Sequence, residues 1–159
     1  MKNLNDKIAE ILKQHPEGED FFDTFDAMVR GDLDVLASFI HFVDTNVYGH
    51  NNYTLILTGQ FGLALMNNYG KHLKEKFDDV ILVNGGIRSG NKAVIFKDSL
   101  PRVNCVMLDD SFYSGTTRNG IEAALKEIDG RAEIVKTIVV YDGSVERDPR
   151  VISMFRYHD

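Results

Sequence analysis

Two adjacent carboxylates, Asp109 and Asp110, stop the apolar run Cys105-Val106-Met107-Leu108. Beyond Ser111-Phe112-Tyr113, three hydroxyls crowd around a glycine in Ser114-Gly115-Thr116-Thr117. The two halves of this stretch need opposite partners. Neighbouring acids repel anions, and each raises the other's pKa unless hydroxyls or a cation answer them. The hydroxyl-bearing turn favours an anion, because Gly115 lets a ligand approach the backbone while Ser114, Thr116 and Thr117 add donors. A ribose 5-phosphate unit meets both demands, with its phosphate on the turn and its vicinal hydroxyls donating to Asp109 and Asp110. Mg²⁺ would join them if a diphosphate is also present.

These residues must be positioned by the elements around them. Cys105 to Leu108 reads as a buried parallel strand, and Ile121, Ala124, Leu125 and Ile128 recur at helical spacing in a helix from about Thr117 to Ile128. The turn therefore joins a strand's carboxyl end to a helix's amino end, where unpaired N–H groups and the helix dipole favour phosphate. Upstream, Tyr53 to Thr58 reads as a strand, Gly59-Gln60-Phe61-Gly62 as a tight turn, Leu63 to Phe77 as a helix and Val80 to Val83 as a second strand. Asn84 to Asn91 is a glycine-rich loop, whose Asn-Gly step predicts a hairpin returning through a strand at Lys92 to Phe96. Ile134 to Tyr141 supplies another strand. Such alternation predicts an α/β fold, a mainly parallel twisted sheet flanked by helices, with ligands bound outside the carboxyl ends of its strands.

The first third of the chain has a different period. Ile8, Ile11 and Leu12, then Phe21, Phe22, Phe25, Met28 and Val29, then Leu33, Leu36, Phe39, Ile40 and Val43 form helical stripes. They suit plain core packing or a cap over the ligand. The expectation is a single domain of 159 residues, with a helical cap or hood over residues 1–50 and an α/β core over residues 51–159. A net charge of −6 without a dense Lys/Arg cluster argues against a nucleic-acid surface, and a small-molecule ligand fits better. No apolar stretch approaches membrane-spanning length, and Met1 to Asp6 lacks a signal-peptide core, so a cytoplasmic protein with no membrane partner is expected. The lone Cys105 suits a core thiol. The five histidines have neither metal-ligand spacing nor a Ser–His–Asp grouping, and are expected to be structural or exposed.

Cys105 to Thr117 resembles the phosphoribosyl diphosphate signature of the type I phosphoribosyltransferases at every defined position: four apolar residues, two acids, three variable residues, Ser or Thr, Gly, any residue and Thr. A flavodoxin-like phosphate loop would account for Ser-Gly-Thr-Thr but not for the paired acids. The resemblance extends over roughly Tyr53 to Asp142. It implies that phosphoribosyl diphosphate loses diphosphate from its anomeric carbon to an acceptor nitrogen of a base. On this resemblance Ser114, Gly115, Thr116 and Thr117 hold the 5-phosphate. Asp109 and Asp110 hold the ribose hydroxyls and reach Mg²⁺ indirectly, through those hydroxyls or water.

The resemblance also implies roles elsewhere. Thr58, Gly59 and Gln60 fall where the family places its diphosphate loop, and Arg88, then Lys92, are the candidate cations of its mobile catalytic loop. Tyr113, and Asp142 in Tyr141-Asp142-Gly143-Ser144, fall where the acceptor pocket is completed; Asp142 could accept from an amino group, and Phe112, Phe155 or Tyr157 could stack on a ring, although core or interface packing is the expectation for these aromatics. Tyr113 stands where the oxopurine enzymes carry an acid, so the acceptor is left unnamed. Arg147 to Arg150 and the tail Phe155 to Asp159 read by default as a solvated turn and tail. Type I relatives are commonly dimers, and the Phe-rich N-terminal helices could supply a homodimer interface, but hood packing would consume the same surface and periodicity does not decide between them. The alternative is a binding module of the same fold that senses a phosphoribosyl ligand or nucleotide, or acts through a partner, without turnover.

Overall fold

A computed structural model describes residues 31–158. The expected stripes at Ile8 to Leu12 and at Phe21 to Val29 lie outside these residues. Helix α1 (Leu33–Asn46) begins at Asp32, whose Oδ1 accepts from the amides of Asp34 and Val35 at 3.0 and 3.2 Å. A single 3₁₀ turn (His50–Asn52) leads into strand β1 (Thr54–Thr58), followed by helix α2 (Gly59–Lys76) and strand β2 (Asp79–Val83). Strand β3 (Asn104–Phe112), helix α3 (Thr116–Ile128), strand β4 (Glu133–Asp142) and strand β5 (Val151–Arg156) complete the order. The five strands form one sheet in the order β2-β1-β3-β4-β5, and every neighbouring pair is parallel. This is the α/β architecture expected from the alternation.

Strand periodicity splits the core into two layers. Leu55, Leu57, Val106, Leu108, Ile138 and Val140 face α1 and α2, where the rings of Phe39 and Phe61 meet edge to face at 5.2 Å. Ile56, Ile81, Val83, Cys105, Met107 and Ile134 face Ile121 and Leu125 of α3. Strand β1 is buried along its whole length, as befits a parallel strand covered on both sides. Burial beside Glu122 pushes the Cys105 thiol up to about 12, which makes it an inert core group. Two histidines stitch the first layer: Asp44 of α1 lies 2.9 Å from His72 Nε2, 3.2 Å from Lys76 Nζ and 3.6 Å from His50 Nε2.

The structure corrects four sequence expectations. Lys92 to Phe96 is not a strand. The Asn84 side chain makes the bonds a ladder would have used, accepting from the Val94 amide at 2.8 Å and donating to the Lys92 carbonyl at 3.1 Å. The tight turn at Gly59 to Gly62 is compressed into one left-handed residue, Gly59 with φ +66°, and α2 starts there. The motif strand continues past Leu108 to Phe112, so both acids lie inside β3, with Asp109 opposite Val139. The tail is not solvated turn alone, because Val151 to Arg156 pairs with β4 from Thr137 to Asp142. The connection over residues 143–150 returns as a strap without a helix.

Two glycines of α2 separate packing from propensity. A Cβ at Gly62 would lie 3.0 Å from the backbone carbonyl carbon of Leu57, whereas at Gly70 it would meet only the movable Met66 side chain, its sulfur at 3.0 Å. Gly62→Ala should lower unfolding free energy by about 1–3 kcal/mol, and Gly70→Ala should raise it by up to about 1 kcal/mol. Urea denaturation of both variants checks the opposite signs.

Candidate functional site

The carboxyl ends of β1, β2 and β3 open onto one cleft of about 260 Å³, lined by Thr58 to Phe61, Gly85 to Ser89 and Asp109 to Arg118, with Met107 at its floor. Its two nearer walls are locked together. Thr58 Oγ1 donates to the Asn84 carbonyl at 3.1 Å, and a Cβ at Gly85 would lie only 3.1 Å from the Gly59 Cα. The segment after Gly85 folds into a compact turn, with the amides of Ser89 and Asn91 both donating to the Gly86 carbonyl. Gly86 (φ +79°) is left-handed, as this turn requires.

The acids occupy the third wall half-buried. Asp109 Oδ1 accepts from the Asp110 amide at 2.8 Å, and Asp110 Oδ1 accepts from Ser111 Oγ at 3.3 Å. Beyond them Gly115, with φ +85°, serves as the N-cap of α3. The Ser114 and Thr116 hydroxyls lie 2.8 Å apart, and the first bond of α3 runs from the Asn119 amide to the Gly115 carbonyl. The amides of Thr117 and Arg118 thus precede the first intrahelical bond, at the positive end of the helix dipole and on the cleft wall. Paired acceptors and a donor-rich turn stand side by side.

Arg88 reaches this wall from the opposite loop, its guanidinium 5.4 Å above the Tyr113 ring. That ring lies against Gly143, where any Cβ would collide with it, and its centroid is 6.4 Å from that of Tyr141. Burial pushes the Tyr141 hydroxyl pKa upward. Thr58, Gly59, Gln60, Arg88, Asp109, Asp110 and Tyr113 to Thr117 therefore converge as the sequence suggested. Lys92 does not line the cleft; it is exposed, and its carbonyl is held by Asn84. Asp142 lies outside it as well. It is buried, 2.6 Å from Arg156 Nη1, and accepts from the Ser144 amide and hydroxyl at 2.9 and 2.6 Å.

Sequence reasoning missed two charged pairs that shape the surroundings. Arg156 neutralises Asp142 across adjacent strands, and Arg118 on α3 donates through Nη1 to Asp148 of the strap at 2.7 Å. Burial alone would raise the Asp148 carboxyl, but the Arg150 amide and the Arg118 guanidinium outweigh it and hold the group below the usual carboxylate range. A second recess, lined by Phe112 to Ser114, Arg118 and the strap, adjoins the cleft. Among the described residues no cluster of three or more His, Cys, Asp or Glu gathers as a metal site. The cleft's adjacent acids suit a hard divalent cation only in company with oxygens that a ligand or water brings.

The sequence matches no family model and no curated protein. Solved structures do match. A purine phosphoribosyltransferase from Pyrococcus horikoshii aligns over 79% of this chain and 84% of its own, at 15% identity and a TM-score of 0.57. An orotate phosphoribosyltransferase from Aeropyrum pernix aligns over 80% of this chain and 75% of its own, at 12% identity and a TM-score of 0.51. At such identities the likeness establishes the fold, that of the type I phosphoribosyltransferases, which the sequence motif had suggested.

Arg156→Met would leave Asp142 as a buried, uncompensated charge, and should cost about 3–5 kcal/mol of stability in urea denaturation, most of it recovered when Asp142→Asn is added. The Asp148 pair has a pH signature. Its stabilisation is complete above the usual carboxylate range and is lost as pH falls through the lowered folded-state value. Melting temperatures measured across the acid range should fall less steeply in Asp148→Asn than in the wild type.

Proposed function

We propose that the protein binds phosphoribosyl diphosphate with Mg²⁺ and transfers the phosphoribosyl group to a nitrogenous base, releasing diphosphate. The observation that carries this reading is the meeting, in one cleft, of the Asp109–Asp110 pair and the Ser114–Thr117 turn at the N-terminus of α3. The turn's amides and hydroxyls would take the 5-phosphate, and the acids would accept from the ribose hydroxyls. That fixes the sugar with its anomeric carbon toward the Thr58–Gln60 wall.

The same wall carries the helix N-terminus of α2, where Gly59 gives backbone N–H groups to the departing diphosphate. Arg88, held over Tyr113 at the cleft rim, would turn its donors onto that group. Asp109 and Asp110 would help to hold Mg²⁺ indirectly, through water or the ribose hydroxyls, and the charge it supplies would favour departure of the diphosphate. The lone pair of the base nitrogen forms the new bond to the anomeric carbon. The carbon–oxygen bond to diphosphate breaks with its electron pair going to the leaving group, and the base's N–H proton passes to solvent. The protein's residues contribute position and electrostatic stabilisation of the separating charges, with no covalent intermediate on a side chain. Lys92 and Asp142 have no part in this reading.

Mg²⁺–phosphoribosyl diphosphate should raise the melting temperature, and one member of a nucleobase panel should drive diphosphate release. Asp109→Asn combined with Asp110→Asn should weaken ribose-dependent binding by about tenfold or more, because each Asn keeps an acceptor oxygen but loses the charge that strengthens the bond. A thermal shift without diphosphate release from any base would point to a ligand sensor. Undiminished affinity in the double variant would remove the roles given to the acids.

A further inference from the structure

Arg118 is an unusual residue at the first turn of a helix, because a cation there opposes the helix dipole. It is nonetheless nearly sequestered, with its side chain 7% exposed. Two contacts hold it. Asp148 takes one N–H of Nη1 at 2.7 Å, and the Phe112 ring lies 5.0 Å from the guanidinium carbon. These leave most of the five donors unused. Nε is buried with no partner, and a Cβ at Gly115 would lie 3.5 Å from Nη2. The guanidinium thus lies against Gly115 of the turn, and Arg118 lines both the cleft and the recess beside it.

A buried cation with open donors and an adverse helix dipole is costly unless something else repays it. The Asp148 contact ties α3 to the strap but engages only one N–H of the fork. A phosphate on the turn answers part of this, since it brings negative charge to the N-terminus and acceptors to the N–H groups of Nη1 and Nη2 that Asp148 does not take, Nε being enclosed.

We propose that Arg118 is the fixed cation of the phosphate subsite, clamped by Asp148 and Phe112 against the turn so that its remaining Nη donors meet the phosphate there. The inference rests on the phosphoribosyl reading of this cleft and adds to it a residue outside the sequence motif's defined positions. Since the side chain is already immobilised, a phosphate gains its charge without the ordering cost a flexible surface lysine would incur. The strap is coupled to the same event, because it carries the carboxylate that aims the guanidinium.

Calorimetric titration with ribose 5-phosphate and with inorganic phosphate tests this on wild type, Arg118→Met and Arg118→Lys. Arg118→Met should bind ribose 5-phosphate about tenfold to hundredfold more weakly. Its affinity should also depend less on salt, and Arg118→Lys should restore part of the loss. In parallel, the guanidinium N–H signals of Arg118 in the wild-type protein, assigned by their absence from Arg118→Lys, should shift on phosphate addition. That reading does not depend on whether Arg118→Met folds. Equal ribose 5-phosphate affinity in wild type and Arg118→Met, or signals unmoved at saturation, would make Arg118 a strap anchor only and leave the phosphoribosyl reading standing. A wild-type protein that takes up neither probe would overturn both.

Discussion

Parallel strands cannot be closed by a tight hairpin, so each must be followed by a segment that carries the chain back along the sheet. Because all five strands here run the same way, the carboxyl ends of β1, β2 and β3 open at one edge, and the turns that follow them are forced together. The helices after β1 and β3 then present their N-termini to the same space. Everything chemical in this chain depends on that geometry. Gly59 lets the chain pass from β1 straight into α2 in a left-handed step, and Gly115 gives the same step at the N-cap of α3. Gly62 lets α2 lie close against Leu57, and the Gly59–Gly85 contact sets how near two of the walls come.

Electrostatics then divides the cleft. Negative charge is concentrated at Asp109 and Asp110 on the end of β3, while positive charge stands at the two helix N-termini and at Arg88 over Tyr113. A ligand with hydroxyls at its middle and anionic groups at both ends complements this division. The strap over residues 143–150 belongs to the same system. Arg118 ties it to α3 through Asp148, while Arg156 and Ser144 hold its origin at Asp142.

Much of this was legible because it is local. The acids, the hydroxyl-bearing turn and the helix after it lie within one short stretch, and the apolar runs of β1, β3 and β4 carry their own signal. What escaped is what depends on distant partners. Asp142 read as a group open to a ligand because Arg156, its counter-ion, lies on a strand that no crossover helix announces. Lys92 to Phe96 read as a ladder strand because nothing local shows that the Asn84 side chain would occupy the bonds of its neighbour's edge. Arg118 follows the motif directly, but its meaning lies in Asp148 and in the ring of Phe112 beneath it. Tyr113 shows the reverse case. Its place in the motif was plain, yet only the structure shows it filling the space above Gly143 and carrying Arg88 on its face.

The most direct measurement is a crystal structure of the protein with Mg²⁺ and phosphoribosyl diphosphate. The 5-phosphate is expected on the Ser114–Thr117 turn, the ribose hydroxyls within hydrogen-bond distance of Asp109 and Asp110, and the diphosphate toward Gly59 and Arg88. A ligand bound elsewhere, or one whose diphosphate lies on the turn with its ribose away from the acids, would contradict it.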